Sequence, residues 1–280
     1  MHRKLCILQA NCQGDEINRL LETHSRFMSH YRIKRFTNYT HELIPAEELA
    51  RCSLFLYQHL GDQWGEISSN RLLAKLPEKA VALCLPNMFF KGYWPLWTSD
   101  SPVGYGDILL NRLIDEGASK PAILKVYLHS NALNETMIKK ALDDTIAQER
   151  EKEKRWFMTT TGLVLRNWRR EFLFHTANHP GGSLLLYVTN GLLDALGMPP
   201  LDADAPNRVV PRTEAFPMYS FFDLPIHPKV SEFHKLSFGG EGYRFRVFQK
   251  RLTFEQYISR YIDCRQNGMD DNFTGYLQLV

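Results

Sequence analysis

Short apolar runs alternate with segments of helical spacing in the N-terminal part of the chain. The runs at residues 5–8, 31–36, 53–57 and 80–85 are rich in apolar and β-branched residues, which is typical of strands. Helical spacing follows the first run, and helix-like segments come near residues 45–49 and 71–76. Strands that alternate with helices predict an α/β fold, with a parallel sheet core flanked by helices on both faces.

Polar residues follow three of the predicted strands. They are Asn11, Cys12, Gln13 and Gly14 after the first strand, Gln58 and His59 after the third, and Pro86 and Asn87 after the fourth. The carboxyl ends of parallel strands meet at one edge of a sheet, and ligands bind beyond that edge. We therefore expect these residues to lie together there.

The pattern changes near residue 105, where helical spacing predominates until about residue 171. We predict three parts from this change. Residues 1–104 form the first part of the α/β core, residues 105–171 a helical insertion subdomain, and residues 172–280 complete the core with a helix over 183–196. The last 80 residues show no clear period.

Composition and charge exclude several classes of protein. The 280 residues are 44% hydrophobic and 23% charged, as in an ordinary globular protein, and the net charge of +3 is too small to attract nucleic acid over the whole surface. The five cysteines show no C-x-x-C spacing, so we predict neither a metal site nor a disulfide framework. The sequence also shows neither a signal peptide nor a transmembrane segment, so a cytoplasmic location is expected. The oligomeric state stays open.

Cys12 is the first candidate for chemistry. It lies between the first strand and the following helix, whose N-terminus favours anions and lowers the pKa of a thiol. Cys12 is either a thiolate nucleophile, a backbone donor to an oxyanion, or a small buried residue without reactivity.

Two histidines are candidates for a general base. His179 precedes Pro180 at the start of a predicted helix, where an imidazole tends to stay neutral; the alternative is a histidine that caps the helix. His227 is the rival, because Asp223 lies four residues before it and could orient it through a hydrogen bond. The alternative for that segment is a rigid structural loop with two prolines.

Two further segments suit a nucleotide-like ligand. Residues 89–97 contain Lys91, Tyr93 and Trp94, which suit stacking on a sugar or adenine, or else form a hydrophobic plug. Residues 150–170 carry a net charge of +5, and Arg166, Arg169 and Arg170 have helical spacing that suits the diphosphate of coenzyme A. The alternative is a solvated surface stripe.

The order of these motifs resembles that of the SGNH/GDSL hydrolases. In that family a serine follows the first strand and a histidine lies in an Asp-x-x-His-Pro block, and here Cys12 and His179 stand in those places. Thr176 stands where the aspartate is expected. The resemblance implies an SGNH-like fold, whereas the departures disfavour an ordinary esterase triad.

A closer resemblance is to the WcbI-type family of polysaccharide-biosynthesis proteins. The matching segments are LQANCQG at 8–14, FKGYWP at 90–95, YGD at 105–107, NHP at 178–180 and IHP at 226–228. This resemblance implies coenzyme A as co-substrate and acetyl transfer to a sugar of a capsular polysaccharide. It also implies that Gly14 and Asn178 contact the coenzyme.

Together these observations predict a cytoplasmic O-acetyltransferase that uses acetyl-coenzyme A, needs no metal and acts on a sugar of a surface polysaccharide or its precursor. His179 is the expected base, Cys12 the candidate nucleophile, and Asn11, Gln13 and Gln58 the oxyanion donors. The alternatives are an SGNH-like carbohydrate esterase and a non-catalytic protein that binds a carbohydrate or nucleotide.

Overall fold

The computed structural model describes residues 3–208 and 221–279. The strands are β1 Lys4–Ala10, β2 Tyr31–Thr37, β3 Cys52–Gln58, β4 Val81–Leu85, β5 Trp97–Thr98, β6 Gly106–Asp107, β7 Phe174–Thr176, β8 His179–Pro180, β9 Phe245–Val247 and β10 Lys250–Leu252. The α-helices are α1 Cys12–Glu22, α2 Ser25–His30, α3 Ala46–Leu49, α4 Ser69–Leu73, α5 Ile108–Asp115, α6 Lys120–His129, α7 Glu135–Glu153, α8 Thr161–Asn167, α9 Gly182–Ala195, α10 Ala205–Arg208, α11 Pro228–His234, α12 Phe254–Gln266 and α13 Phe273–Leu279. Short 3₁₀ helices cover Asp62–Ile67 and Asp270–Asn272.

The chain folds into two compact units. Within the described residues, unit 1 comprises residues 3–88, 149–164 and 180–208, and unit 2 comprises residues 89–148, 165–179 and 221–279. The predicted insertion contains α5 to α8, which lie between residues 108 and 167. Its boundaries at 104/105 and 171/172 stay a prediction.

Unit 1 is built on a four-stranded parallel sheet in the order β2-β1-β3-β4. The central strands β1 and β3 are almost wholly buried, which explains their unbroken apolar runs. Helix α1 packs on one face of the sheet near Leu8, and apolar residues of α3 and α4 join Leu5, Ile7 and Phe55 on the other. The predicted α/β fold with a parallel sheet flanked by helices is confirmed.

Unit 2 is rich in helices and aromatic side chains. Helices α5, α6 and α12 pack together, and the two short antiparallel pairs β5-β6 and β9-β10 lie in the same unit. Rings of Phe90, Tyr93, Trp168, Phe172 and Phe238 contact one another in its interior. In the part of the chain that the structure describes, no helix has both the length and the apolar character to cross a bilayer.

Candidate active site

Cys12 is the first residue of α1 and lies directly beyond the carboxyl end of β1. Asn11 is the N-cap residue, and its side-chain oxygen accepts from the backbone N–H of Gln13 at 2.9 Å. Cys12 is 9% exposed, whereas Cys6, Cys52, Cys84 and Cys264 are 0%, 2%, 6% and 0% exposed. Cys12 thus lies beyond the carboxyl end of a parallel strand, at the edge of the sheet that its place in the sequence predicts.

Amide side chains connect the ends of three strands at this edge. The backbone N–H of Asn11 donates to Oε1 of Gln58 at 2.8 Å, and Nδ2 of Asn11 donates to Oδ1 of Asn87 at 3.2 Å. Nε2 of Gln58 donates to the carbonyl of Pro86 at 3.3 Å. The structure therefore brings together the polar residues that follow β1, β3 and β4, as the strand directions predict.

Gln13 and Gln58 have structural tasks that differ from the predicted supply of oxyanion donors. Gln13 is fully buried, donates to the carbonyl of Met88 at 2.8 Å, and accepts from the backbone N–H of Met88 at 3.0 Å. Its own backbone N–H is directed to the Asn11 cap. Gln58 is also fully buried and joins the loops at residues 11 and 86. Both residues therefore lie at the predicted edge, where buried strand ends and loops need polar partners, and their role as oxyanion donors stays a prediction.

Gly14 allows α1 to pass close to the end of β1. A Cβ atom at Gly14 would lie 2.3 Å from the Cβ of Ala10 and 3.8 Å from Cδ1 of Leu8. This close approach explains the glycine by packing, and the contact with the coenzyme that is expected for it stays a prediction.

Residues that sequence reasoning did not assign surround the Cys12 edge. Burial raises the pKa of Tyr39, as do the charges of Cys12 and Asp15, so the exposed ring of Tyr39 lies near Cys12. Burial and the charge of Arg155 lower the pKa of His59. Nζ of Lys152 donates to the carbonyl of Asn87 at 2.5 Å. Lys152 and Arg155 belong to the basic stretch at 150–170, so its net charge could have indicated them. The helical spacing of the later arginines favours those residues instead.

His179 is a buried residue of unit 2. Its Nδ1 lies 2.6 Å from Oγ1 of Thr176 and 3.2 Å from the hydroxyl of Tyr105. Burial, together with the charge of His175, lowers the pKa of His179 to about 3. The imidazole is therefore neutral at pH 7, as the sequence predicts, but the cause is burial and not a helix terminus. His179 lies in β8, and α9 begins only at Gly182, with Gly181 as its N-cap.

Asp223 is paired with His175, which corrects the predicted contact with His227. Oδ1 of Asp223 lies 2.7 Å from Nδ1 of His175 and 3.3 Å from Nη2 of Arg246. Burial alone would raise the pKa of Asp223, but the hydrogen bond and charge of His175 and the charge of Arg246 outweigh it and lower the pKa. The backbone explains the correction, because Leu224 donates to the carbonyl of His175 and fixes Asp223 beside β7.

His227 caps a helix. Its Nδ1 accepts from the backbone N–H of Lys229 at 3.1 Å at the start of α11, and its Nε2 lies 3.2 Å from the carbonyl of Tyr127. Burial lowers the pKa of His227 to about 4. Both ring nitrogens thus have backbone partners, which favours the rigid-loop interpretation over the general base.

The aromatic segment after β4 is interior structure. Tyr93 is fully buried and donates to the carbonyl of Trp168 at 2.6 Å, and Nε1 of Trp94 donates to the carbonyl of Leu224 at 3.0 Å. These contacts fit the hydrophobic-plug interpretation and contradict an exposed stacking surface for Tyr93 and Trp94. Lys91 is half-buried, with its Nζ 5.8 Å from the centre of the Trp97 ring.

Asn178 and Arg169 have local partners in unit 2, whereas Arg166 and Arg170 bear on the predicted helical face. Oδ1 of Asn178 accepts from Oγ1 of Thr176 at 2.9 Å. Helix α8 ends at Asn167, so it contains Arg166 but neither Arg169 nor Arg170. The predicted helical face shared by the three arginines is therefore wrong. Arg169 and Arg170 lie in the following turn, where Nε of Arg169 donates to the carbonyl of His234 at 3.0 Å. All three side chains are exposed.

Metal ligands do not cluster in the described residues. Within residues 3–208 and 221–279, no three His, Cys, Asp or Glu side chains lie together in a way that could bind a metal ion. His175 and His179 have the hydrogen-bond partners described above.

Comparisons with known proteins give the family of this chain. A family model described as the polysaccharide biosynthesis enzyme WcbI matches residues 5–201. No curated protein matches the chain. One similar solved structure is described as WcbI, a novel polysaccharide biosynthesis enzyme, in a native form without a disulfide bond between coenzyme A and one of its cysteines. It has 18% identity and a TM-score of 0.74, and the match covers 99% of this chain and 94% of that chain, which shows a common fold. Because the family model matches well over half of the sequence, the chain belongs to the WcbI family of polysaccharide biosynthesis enzymes.

Proposed function

We propose that this enzyme is a coenzyme A-dependent O-acetyltransferase that acts on a sugar of a capsular or other surface polysaccharide, or on its precursor. The observation that carries the proposal is the position of Cys12, at the start of α1 and at the ligand-binding edge of the parallel sheet. The related WcbI structure supports it, because its description pairs coenzyme A with a cysteine of that protein.

The groups around Cys12 fit the chemistry of coenzyme A. The half-buried carboxamide of Asn11 has a second N–H besides the one that donates to Asn87, and we assign that N–H to the thioester oxygen. The exposed ring of Tyr39 suits contact with an apolar or aromatic part of the ligand. Lys152 and Arg155 supply positive charge in the same unit, which suits phosphate groups.

The reaction transfers an acetyl group from sulfur to oxygen. In direct transfer, the sugar hydroxyl attacks the thioester carbonyl, its proton passes to the neutral His179, and the carbon–sulfur bond breaks to release the thiol of coenzyme A. In the two-step route, the thiolate of Cys12 attacks the thioester carbonyl and the carbon–sulfur bond to coenzyme A breaks, which releases the coenzyme A thiolate. The sugar hydroxyl then attacks the acetyl group on Cys12, gives its proton to the general base and releases Cys12 as a thiolate. In both routes Asn11 stabilises the negative charge that develops on the carbonyl oxygen.

The neighbour of His179 differs from that of the histidine in an SGNH-like hydrolase. In such a hydrolase a carboxylate orients the histidine and stabilises its protonated form. Here a neutral hydroxyl lies 2.6 Å from Nδ1. No disulfide joins the five cysteines, all of which lie in the described residues; this suits a reducing compartment, and we place the reaction in the cytoplasm.

The test measures release of free thiol from acetyl-coenzyme A in the presence of sugar acceptors, with mass spectrometry of the acetylated sugar. We expect Cys12→Ser and His179→Ala each to lower the rate by at least about 100-fold. Cys264→Ala is the matched control, because its buried thiol lies in α12 and donates to the carbonyl of Met269, so its loss should leave the rate nearly unchanged. Normal activity in Cys12→Ala would exclude the two-step route, and failure of the wild type to bind coenzyme A would contradict the proposed function.

A further inference from the structure

Unit 2 contains a small aromatic cavity that the proposed chemistry leaves unused. Its volume is about 40 Å³, and its wall includes Trp97, Tyr105, Asp107, Tyr127 and Tyr257. Trp97, Tyr105 and Asp107 are half-buried, so the cavity is accessible from that side. The volume exceeds the roughly 15 Å³ that one water needs, and it suits the edge of a small ring better than a whole coenzyme.

Two hydrogen-bond donors in the wall lack a partner among the described residues. The hydroxyl of Tyr257 and Nε1 of Trp97 are both buried and, among the described residues, neither has a hydrogen-bond partner. The Tyr257 side chain is 97% buried, since the residue is only 3% exposed. Buried donors of this kind are rare because an unmade hydrogen bond costs free energy, so their presence in a cavity wall indicates a polar ligand.

Asp107 supplies an acceptor in the same wall. Its Oδ1 accepts from the backbone N–H of Leu110 at 2.8 Å, and its Oδ2 accepts from the hydroxyl of Tyr127 at 2.5 Å. A carboxylate offers about four acceptor positions, so it can take a further hydrogen bond from a ligand. Burial raises the pKa of Asp107 to about 6, and the bonds from Tyr127 and Leu110 oppose this rise, so the group is mostly ionised at pH 7.

The cavity is connected to the candidate base through one side chain. Tyr105 lies in the wall, and its hydroxyl lies 3.2 Å from Nδ1 of His179. The side chain of Tyr105 therefore lies between His179 and a hydroxyl-bearing ligand in the cavity.

We propose that this cavity binds the edge of a neutral pyranose sugar, with Asp107 accepting from a sugar hydroxyl and with Tyr257 and Trp97 donating to sugar oxygens. Aromatic faces beside one carboxylate suit a ring that is apolar on its face and polar at its edge. The negative charge of Asp107 disfavours acidic sugars. The inference rests on the proposed function, for which it supplies the class of acceptor.

The test is a titration of wild-type protein with methyl α-D-glucopyranoside, methyl α-D-mannopyranoside and methyl β-D-galactopyranoside, followed by saturation-transfer difference NMR without acetyl-coenzyme A. We expect saturation of ring protons for at least one of the three glycosides, and weaker binding of glucuronic acid. Tyr257→Phe removes one hydrogen bond and should weaken binding about 3- to 10-fold. Asp107→Asn should weaken it by about 10-fold or more, while Asn still caps α5.

Tyr243→Phe is the matched control, because Tyr243 is exposed in the same unit and its loss should leave binding unchanged. Tyr257→Phe removes a hydroxyl that bonds to none of the described residues, so the variant should fold with a melting temperature equal to or above that of the wild type. Absence of saturation for all three glycosides, or equal affinity in wild type, Tyr257→Phe and Asp107→Asn, would overturn the proposal. Calorimetry with acetyl-coenzyme A on the same samples tests the proposed function separately.

Discussion

Gly14 shows at the scale of one residue why the Cys12 edge needs a particular sequence. Its Cα faces the Cβ of Ala10, so α1 starts close to the end of β1 and Cys12 is held at the edge of the sheet. A side chain at this position would have to push the helix away from the strand. The glycine thus positions Cys12 by allowing this close approach.

We therefore expect Gly14→Ala to destabilise the protein. The added Cβ would meet Ala10 at 2.3 Å, and overpacking of a buried contact costs about 1–3 kcal/mol. Urea denaturation followed by circular dichroism measures the loss. Gly104→Ala is the control, because a Cβ at Gly104 meets nothing within 4 Å, and it should change the stability by less than about 0.5 kcal/mol. Equal stability of the two variants would show that α1 adjusts freely.

Individual residues also show the limit of sequence reasoning. The place of Cys12 follows from one strand and one turn, which are local features. The partner of His175 is Asp223, which is 48 positions away and reaches it through the pairing of Leu224 with β7. The spacing of Asp223 and His227 pointed to a different pair, because spacing along a proline-rich loop contains no information about the tertiary contacts of its side chains.

At the scale of elements, the N-terminus of α1 combines two tasks in Asn11. The side-chain oxygen caps the helix by accepting from Gln13, and the side-chain nitrogen donates to Asn87 beyond β4. The helix that carries Cys12 is thereby fixed both to its own first turn and to the loop after another strand. Capping and positioning of the site can be separated by substitution.

Asn11→Ala should lower the free energy of unfolding by about 0.5–2 kcal/mol, because the N-cap is lost. Asn11→Asp should lose less stability than Asn11→Ala, since aspartate caps equally well and only the bond to Asn87 is lost. Both variants remove the N–H donor, so we expect weaker binding of acetyl-coenzyme A in both, measured by calorimetry. Full affinity in Asn11→Asp would mean that the carboxamide nitrogen contributes nothing to the ligand.

The elements themselves were largely predictable. Apolar runs predict all four strands of the parallel sheet. Helical spacing predicts the helix after β1 and the helix at 182–195, which Gly197 and Pro199 follow. Helix α8 was less predictable, because Arg166, Arg169 and Arg170 fit a helical period although the helix ends at Asn167. Periodicity shows which residues could share a face but not where tertiary contacts end a helix.

At the scale of the whole molecule, buried histidines couple folding to pH. Burial is the main cause that lowers the pKa of His179 to about 3 and those of His227 and His234 to about 4, from an ordinary 6.5. The unfolded chain therefore binds more protons than the folded chain between about pH 6.5 and 4. Stability is lost as the pH falls through this window, at roughly 1.4 kcal/mol per pH unit for each histidine.

We expect the urea midpoint to fall between pH 7 and pH 5, even though the raised pKa values of Asp107 and Asp15 act in the opposite direction. His234→Gln should make this dependence shallower. His30→Gln, at an exposed site, should leave it unchanged. A midpoint that does not vary with pH in the wild type would contradict the burial of these histidines as neutral groups.

The most direct test of the account is the reaction of the protein with coenzyme A disulfide. The thiolate of Cys12 should attack the disulfide, form a Cys12–coenzyme A disulfide and release one free coenzyme A thiol. Intact mass and peptide mapping should show one adduct, at Cys12, which excess acetyl-coenzyme A suppresses and Cys12→Ser abolishes. Absence of an adduct in the wild type, or an adduct at Cys6, Cys52, Cys84 or Cys264 in its place, would contradict the assignment of this edge to coenzyme A.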